Sequence, residues 1–157
     1  YKETHSIYQL EYLQWKRDRM YPFLDKIYIG HKRNTAQVKS VALPQLGFYR
    51  NAFYPNDKKI IPVEALEWLD DLAVAVWYMD DGSISKSQGN IKLCTHGFNL
   101  GNVGMLQGWL VTKYKVMAHI YMDRTYPFLT IQKESCDRFL RVVEPYIVPS
   151  MRYKLGQ

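Results

Sequence analysis

The sequence predicts an α+β fold in which one structural unit is used twice, and three observations predict it. A helix, a β-hairpin and a second helix can be read in that order between His5 and Phe53, and again between Asn99 and Val143. The stretches that trail the two copies also match. Lys58-Lys59-Ile60-Ile61-Pro62 follows the first, and Tyr146-Ile147-Val148-Pro149, then Tyr153-Lys154, follows the second, at an offset on the order of 90 residues. Third, the second copy has an apolar helix at its front that stops at Asp80-Asp81-Gly82.

From His5 to Met20, Tyr8, Tyr12 and Trp15 recur at helical spacing with Lys16, Arg17 and Arg19 between and beyond them, which predicts an amphipathic helix interrupted at Pro22. Lys26 to His31 and Ala36 to Val41 read as a hairpin whose tip is the basic run Lys32-Arg33-Asn34-Thr35. Pro44 can open a helix through Phe48 to Phe53, which Pro55-Asn56-Asp57 ends with turn chemistry. Leu69 to Met79 is almost wholly apolar, with small residues at Ala73 and Ala75, and suits a helix approached closely by another. Strand-like runs follow around Ser83 to Lys86 and Ile91 to Thr95. Asn99 is a fitting N-cap for a helix carrying Val103, Leu106, Leu110 and Tyr114. Val116 to Met122 and Phe128 to Gln132 then make a second hairpin, turned at Asp123-Arg124-Thr125. Ser135 caps a last helix carrying Cys136, Phe139, Leu140 and Val143 on one face, ending near Pro145. Moving the Leu69–Met79 helix back by the repeat offset places its partner roughly 20 residues before Tyr1. The expectation is an incomplete first lobe over residues 1–66 and a second lobe over residues 67–157.

Composition bounds the function more loosely. The chain's 157 residues, 47% hydrophobic and 15% aromatic, suffice for one compact core or two small lobes. Its 21 Lys and Arg against 15 Asp and Glu leave a formal charge of +6 and a pI near 9.2, which suits an acidic polymer or surface as partner without identifying it. The two cysteines, Cys94 and Cys136, lack the paired spacing of a zinc site or a disulfide framework and read as core thiols. The longest apolar run, Leu72 to Met79, is eight residues against the roughly 20 of a bilayer span. Tyr1 to Ser6 is polar, unlike a signal peptide. A soluble, intracellular protein without a membrane partner is expected. No Gly-rich phosphate loop and no supported Ser-His or Cys-His arrangement points to a small-molecule enzyme.

A buried helix that ends on two carboxylates is costly unless something cationic accompanies them. Asp80 and Asp81, followed by a glycine that permits a sharp exit, suit a hard divalent cation. The plainer alternative is a helix-terminating turn with Gly82 as its left-handed residue. Acids at a helix C-terminus oppose the macrodipole by about 0.3–1 kcal/mol each, and turn formation alone does not explain two of them. On the residues alone both readings stay open.

Val74-Ala75-Val76-Trp77-Tyr78-Met79-Asp80-Asp81-Gly82 resembles the second motif of two-motif LAGLIDADG homing endonucleases, in the form L-A-Y-W-x-M-D-D-G. The flanks agree. Lys58-Lys59-Ile60-Ile61-Pro62 resembles the family's K-K-x-I-P stretch, and Leu93-Cys94-Thr95-His96-Gly97-Phe98 its L-N-T-Q-S-F stretch. Pro145 to Gly156 resembles its C-terminal P-Y-I-x-P-S-M-x-Y-K-L-G. The first 57 residues match by helix and hairpin pattern alone.

The resemblance implies pseudo-repeated αββαββα lobes whose antiparallel sheets form a DNA-binding saddle. It implies that the acid before the glycine, Asp81, ligates a divalent metal against the scissile phosphate, with Asp80 secondary. Lys59 and Lys154 match the family's pocket lysines; read singly, Lys58 and Lys59 are a solvated loop pair and Lys154 a tail residue. His96, where the family often has Gln, would line the pocket or cap the following helix. The sheets would meet duplex DNA through Lys32, Arg33, Lys39, Lys86, Gln88, Lys92, His119 and Arg124, each of which taken alone is a surface polar group. Mg2+ is the implied cofactor, with Mn2+ substituting and Ca2+ supporting binding without cleavage. An organellar or a bacterial or phage host setting fits equally.

Two features depart from the pattern. Val76 stands where the family's helix interface often has a smaller residue, and the first acidic motif is absent. A longer natural chain, monomeric with both motifs, explains the second departure. A homodimer sharing Asp81, or assembly with a missing segment, is the other explanation. The alternative functions are an intron maturase, with intron RNA as partner, and a catalytically inactive DNA-binding protein.

Overall fold

The computed structural model describes residues 1–85 and 87–156, and the expected Lys86 contact lies outside them. The chain divides into two compact units. The first comprises Tyr1–Asn51 with Val148–Arg152; the second comprises Ala52–Ile147 and the chain from Tyr153 onward. Both are mixtures of helix and antiparallel sheet, as the α+β expectation requires.

In the first unit β1 (Lys2–Ser6) precedes α1 (Leu10–Arg19), the hairpin β2 (Leu24–Gly30) and β3 (Thr35–Ser40), and α2 (Pro44–Phe53). The sheet order is β1-β3-β2, all antiparallel. Leu13 of α1 meets Leu24, Ala36 and Val38 in a small core, with Ile7, Leu10, Met20 and Ile27 around it. The expected helix from His5 is therefore corrected: residues 2–6 pair with β3 as a strand, and the helix begins at Leu10. The usual signal was missing because the inward residues of β1 are Glu3 and His5 rather than apolar side chains. α2 opens at Pro44 as expected but buries no residue, and Phe48 and Tyr49 are 62% and 51% exposed.

In the second unit a short helix α3 (Ala65–Trp68) leads to α4 (Asp71–Asp81), β4 (Gly82–Ile84), β5 (Ile91–Leu93), α5 (Leu100–Tyr114), β6 (Ala118–Asp123), β7 (Tyr126–Ile131) and α6 (Lys133–Val143). Its sheet runs β4-β5-β7-β6. Asp70 caps α4, accepting from the Ala73 N–H at 2.8 Å. Asn99 caps α5 as its sequence position implies, accepting from Asn102 N–H at 2.9 Å. Val103, Leu106 and Leu110 of α5 are buried, as are Ile91, Leu93, Leu129 and Ile131 of the sheet, and α5 packs against β6 and β7. Each such side chain stabilises the fold by about 1.5–3 kcal/mol on burial. α6 packs on α4, with Phe139 edge-on to Tyr78 at 5.3 Å. Its cap is Gln132, and Ser135 lies inside the helix. The Ser135 hydroxyl instead accepts from Met117 N–H at 3.0 Å, tying α6 to the entry of β6. Cys136 is the core thiol expected, whereas Cys94 is only half-buried.

The order of the three shared strands repeats, and so does the register of β1–β3 in β5–β7, while the β2–β3 pairing carries a bulge between Leu24 and Ile27 that β6–β7 lacks. Glu3 faces Val38 and His5 faces Ala36 in the first sheet, where Ile91 faces Ile131 and Leu93 faces Leu129 in the second. Among the described residues the first sheet has no strand equivalent to β4.

Candidate active site

The end of α4 carries the acidic residues that the sequence singles out in the second unit. Asp80 and Asp81 are both exposed at its C-terminal turn. Gly82 then leaves in an extended conformation, φ −89° and ψ 153°, so the left-handed turn reading does not hold. Glycine is required there by space: a Cβ would lie 2.0 Å from the Tyr78 ring and 2.6 Å from its carbonyl oxygen. The chain can enter β4 beside the buried Tyr78 only without a side chain, and that placement keeps Asp81 at the sheet's edge. The Asp81 carbonyl accepts from Cys94 N–H at 3.0 Å, extending the β4–β5 ladder by one rung.

Lys154 lies behind this turn. Its ammonium donates to the Gly82 carbonyl at 2.8 Å and to the Tyr78 carbonyl at 3.3 Å, while the Tyr78 hydroxyl donates back to the Lys154 carbonyl. A cation on the last carbonyls of α4 offsets both the macrodipole and the adjacent carboxylates. Burial pulls the Lys154 pKa down from its ordinary value, and Asp80 and Asp81 pull the other way. Burial likewise pushes the Tyr78 phenol well up, so it stays a neutral donor.

Lys59 reaches the same region from the loop before α3. Ile60 N–H donates to the Phe53 carbonyl at 2.9 Å, and Ile61 N–H donates to Asn102 Oδ1 at 3.0 Å, which ties the loop to α5. The exposed Lys59 ammonium sits 4.3 Å from the Phe98 ring centre. Lys59, Phe98, Trp77 and Asp81 line one cavity of about 230 Å³. The geometry thus brings Lys59 to Asp81's cavity and Lys154 to Asp81's helix end. The chemistry fits a hard divalent cation, since Asp80 and Asp81 are exposed carboxylates at the end of α4. His96 does not cap α5. Its ring packs edge-on against Tyr126 and Phe128 at 6.1 and 5.8 Å, on the sheet.

The remaining expected residues fall on strands and tips. Lys32 and Arg33 form the exposed tip of the β2–β3 hairpin, and Arg124 the tip of β6–β7, with a left-handed φ of 57°. Lys39 is on the outer face of β3, its ammonium 5.8 Å from the Tyr28 ring centre. Lys92 and His119 lie on the outer face of the second sheet, and Gln88 lies between β4 and β5, accepting from Asn90 Nδ2 at 3.3 Å. Ser83, Gln88, Asn90, Lys92, Tyr121 and Thr130 line an open depression of about 630 Å³ there. Ser83, Tyr121 and Thr130 escaped the sequence reading because their alignment with Lys92 is a matter of register between distant strands. Alternation along β7 was the available signal. Among the described residues no helix is long and apolar enough to cross a membrane.

A family model described as the LAGLIDADG DNA endonuclease family matches residues 1–139. The cytochrome b mRNA maturase bI2 of Debaryomyces hansenii is 36% identical over 131 residues, covering 81% of this chain and 48% of that protein. The intron-encoded endonuclease ai4 of Dictyostelium discoideum is 35% identical over 108 residues, covering 66% of each. The chain thus spans about half to two thirds of the length of these two relatives. Among solved structures, the homing endonuclease I-WcaI bound to its DNA recognition sequence superposes with a TM-score of 0.79 at 25% identity, over 98% of this chain and 74% of that one. I-DmoI in complex with DNA and Mn shares the fold, with a TM-score of 0.58 at 16% identity over 94% and 81%.

Proposed function

The chain belongs to the LAGLIDADG DNA endonuclease family, and from that premise we propose that it acts in site-specific, metal-dependent cleavage of double-stranded DNA. The observation that carries this reading is the convergence of Asp81 and Lys59 on one cavity, with Lys154 set on the carbonyl end of the same helix. Asp81 would hold the divalent ion, Mg2+ or Mn2+, with Asp80 as a secondary acid. When bound, such an ion neutralises charge on a phosphodiester and lowers the pKa of a coordinated water. Lys59, exposed and reaching into the cavity, places a cation where charge develops on phosphate. Lys154 keeps the end of α4 fixed, so that Asp81 is presented at the sheet's edge. Lys32, Arg33 and Arg124 at the hairpin tips suit phosphate contacts, and the strand residues suit base edges.

The test is cleavage of a randomised duplex pool in Mg2+ by the chain and by Asp81→Asn, with binding scored in Ca2+. Cutting lost in the variant while binding persists supports the reading; cutting that survives Asp81→Asn overturns it. The maturase bI2 relative gives a second reading, action on intron RNA. Competition between a structured intron RNA and duplex DNA for the chain separates the two. Sedimentation of the chain with its DNA distinguishes a monomer from two copies that each contribute Asp81.

A further inference from the structure

The outer faces of the two sheets carry different chemistry in equivalent cross-strand rows. Resting on the DNA-binding reading above, we propose that Gln37 of the first unit reads an adenine and Lys92 of the second unit reads a guanine, in a target that is therefore asymmetric.

The register defines the equivalence. Across the first sheet Thr4 faces Gln37 and Gln37 faces Tyr28, making one row on the outer face. Across the second sheet Ser83, Lys92, Thr130 and His119 face one another in turn. Gln37 and Thr130 each sit between the two buried residues of their strand, Ala36 and Val38 or Leu129 and Ile131, so the rows occupy the same place in each unit. Thr4 thus corresponds to Lys92, and Tyr28 to His119.

Gln37 Nε2 donates to Thr4 Oγ1 at 2.9 Å, which fixes the amide plane and leaves its other N–H and its Oε1 for a ligand. One donor beside one acceptor complements the N7 and N6 amino group of adenine in the major groove. Lys92 has donors only. Its ammonium is held 3.9 Å over the Phe128 ring, beside the Ser83 and Thr130 positions. A fixed cation suits the O6 and N7 acceptors of guanine and is opposed by the amino group of adenine. Both residues are mid-strand, on the face where base edges are read. The basic residues of the hairpin tips, by contrast, are placed for the backbone.

The test is selection of duplexes from a randomised pool in Ca2+, followed by sequencing of the bound fraction, with the chain and its Gln37→Leu, Gln37→Lys, Thr4→Val, Lys92→Met and Lys92→Arg variants. Gln37→Leu is expected to flatten the preference at one adenine position by about 5- to 100-fold and to leave the guanine position intact, and Lys92→Met to do the reverse. Thr4→Val should weaken the adenine preference alone, Lys92→Arg should keep guanine, and Gln37→Lys should turn the adenine position towards guanine. An even loss of affinity over all sequences, with a shallower salt dependence, would mean phosphate contacts and overturn the assignment. Unchanged preferences in the variants overturn it equally. A chain that selects no duplex at all overturns the DNA-binding reading as well, which keeps the two failures distinct.

Discussion

The two units solve the same packing problem with opposite chemistry. Where β5 of the second unit turns Ile91 and Leu93 inward, β1 of the first turns Glu3 and His5 inward. Glu3 accepts hydrogen bonds from Lys16, His5 and Tyr1, and Lys16 is only 5% exposed. Tyr12 completes the cluster, with its ring edge-on to His5 at 5.4 Å and under the Lys16 ammonium at 4.5 Å. Burial raises the Glu3 pKa, but the hydrogen bonds from His5, Lys16 and Tyr1 outweigh it and bring the carboxyl to about 2. The Glu3 bond raises the His5 pKa despite burial. One topology thus accommodates an apolar layer and an ionic one. The fold is specified by pairing register and by which positions face inward, while the identity of the inward side chains is free as long as every polar group is satisfied.

The largest effect that would sharpen this contrast concerns activity. Asp81→Asn in the second unit is expected to lower cleavage by roughly 1000-fold while leaving the melting temperature nearly unchanged, measured by nicking assay and calorimetry. Retained cleavage would break the assignment of chemistry to the end of α4. Next is the apolar layer itself. Leu93→Ala, at a fully buried position, should cost about 2–5 kcal/mol in urea unfolding. A cost below about 1 kcal/mol would mean that the second sheet is not the tightly packed one.

The ionic layer should be fragile to single changes and tolerant of wholesale replacement. Glu3→Gln removes the carboxylate on which Lys16, His5 and Tyr1 converge and should cost about 3 kcal/mol. The triple change Glu3→Ile, His5→Leu and Lys16→Met, which imposes the second unit's chemistry on the first, should be neutral or stabilising by about 1–4 kcal/mol. If the triple variant is less stable than Glu3→Gln, the equivalence of the two layers is wrong. A smaller effect follows from pH. Because the folded Glu3 pKa lies below the ordinary value of 4.5, the stability it supplies is present above about pH 4.5 and lost as pH falls towards 2. His5, with its pKa raised, contributes below about pH 6.5 and loses that contribution as pH rises through its folded value. Denaturant midpoints followed between these limits in Glu3→Gln should be flatter with pH than in the unaltered chain.

The same contrast explains what the sequence could show. Asn99, Pro44 and the apolar spacing of α5 and α6 are local signals, and the structure follows them. β1 was hidden because the residues that bury it are Glu3 and His5, whose partner Lys16 lies 13 residues on. Ser135 resembled a cap, but its hydroxyl is committed to Met117, a contact that only the folded β6 supplies. At the site, Asp81, Lys59 and Lys154 stood out through motif resemblance. Gln37, Thr4, Ser83 and Thr130 did not, since what groups them is register between strands separated by tens of residues.

Gly82 has a consequence for heredity. With a Cβ at that position lying 2.0 Å from the Tyr78 ring, every missense change in its codon adds atoms where none fit, at the residue that follows Asp81. Gly104 and Gly108 of α5 have nothing within 4 Å of a built Cβ, and alanine there also favours helix by about 1 kcal/mol. A drifting gene would therefore accumulate changes at the two helical glycines long before position 82, and the first substitution at Gly82 would record when selection for the α4 terminus had ended.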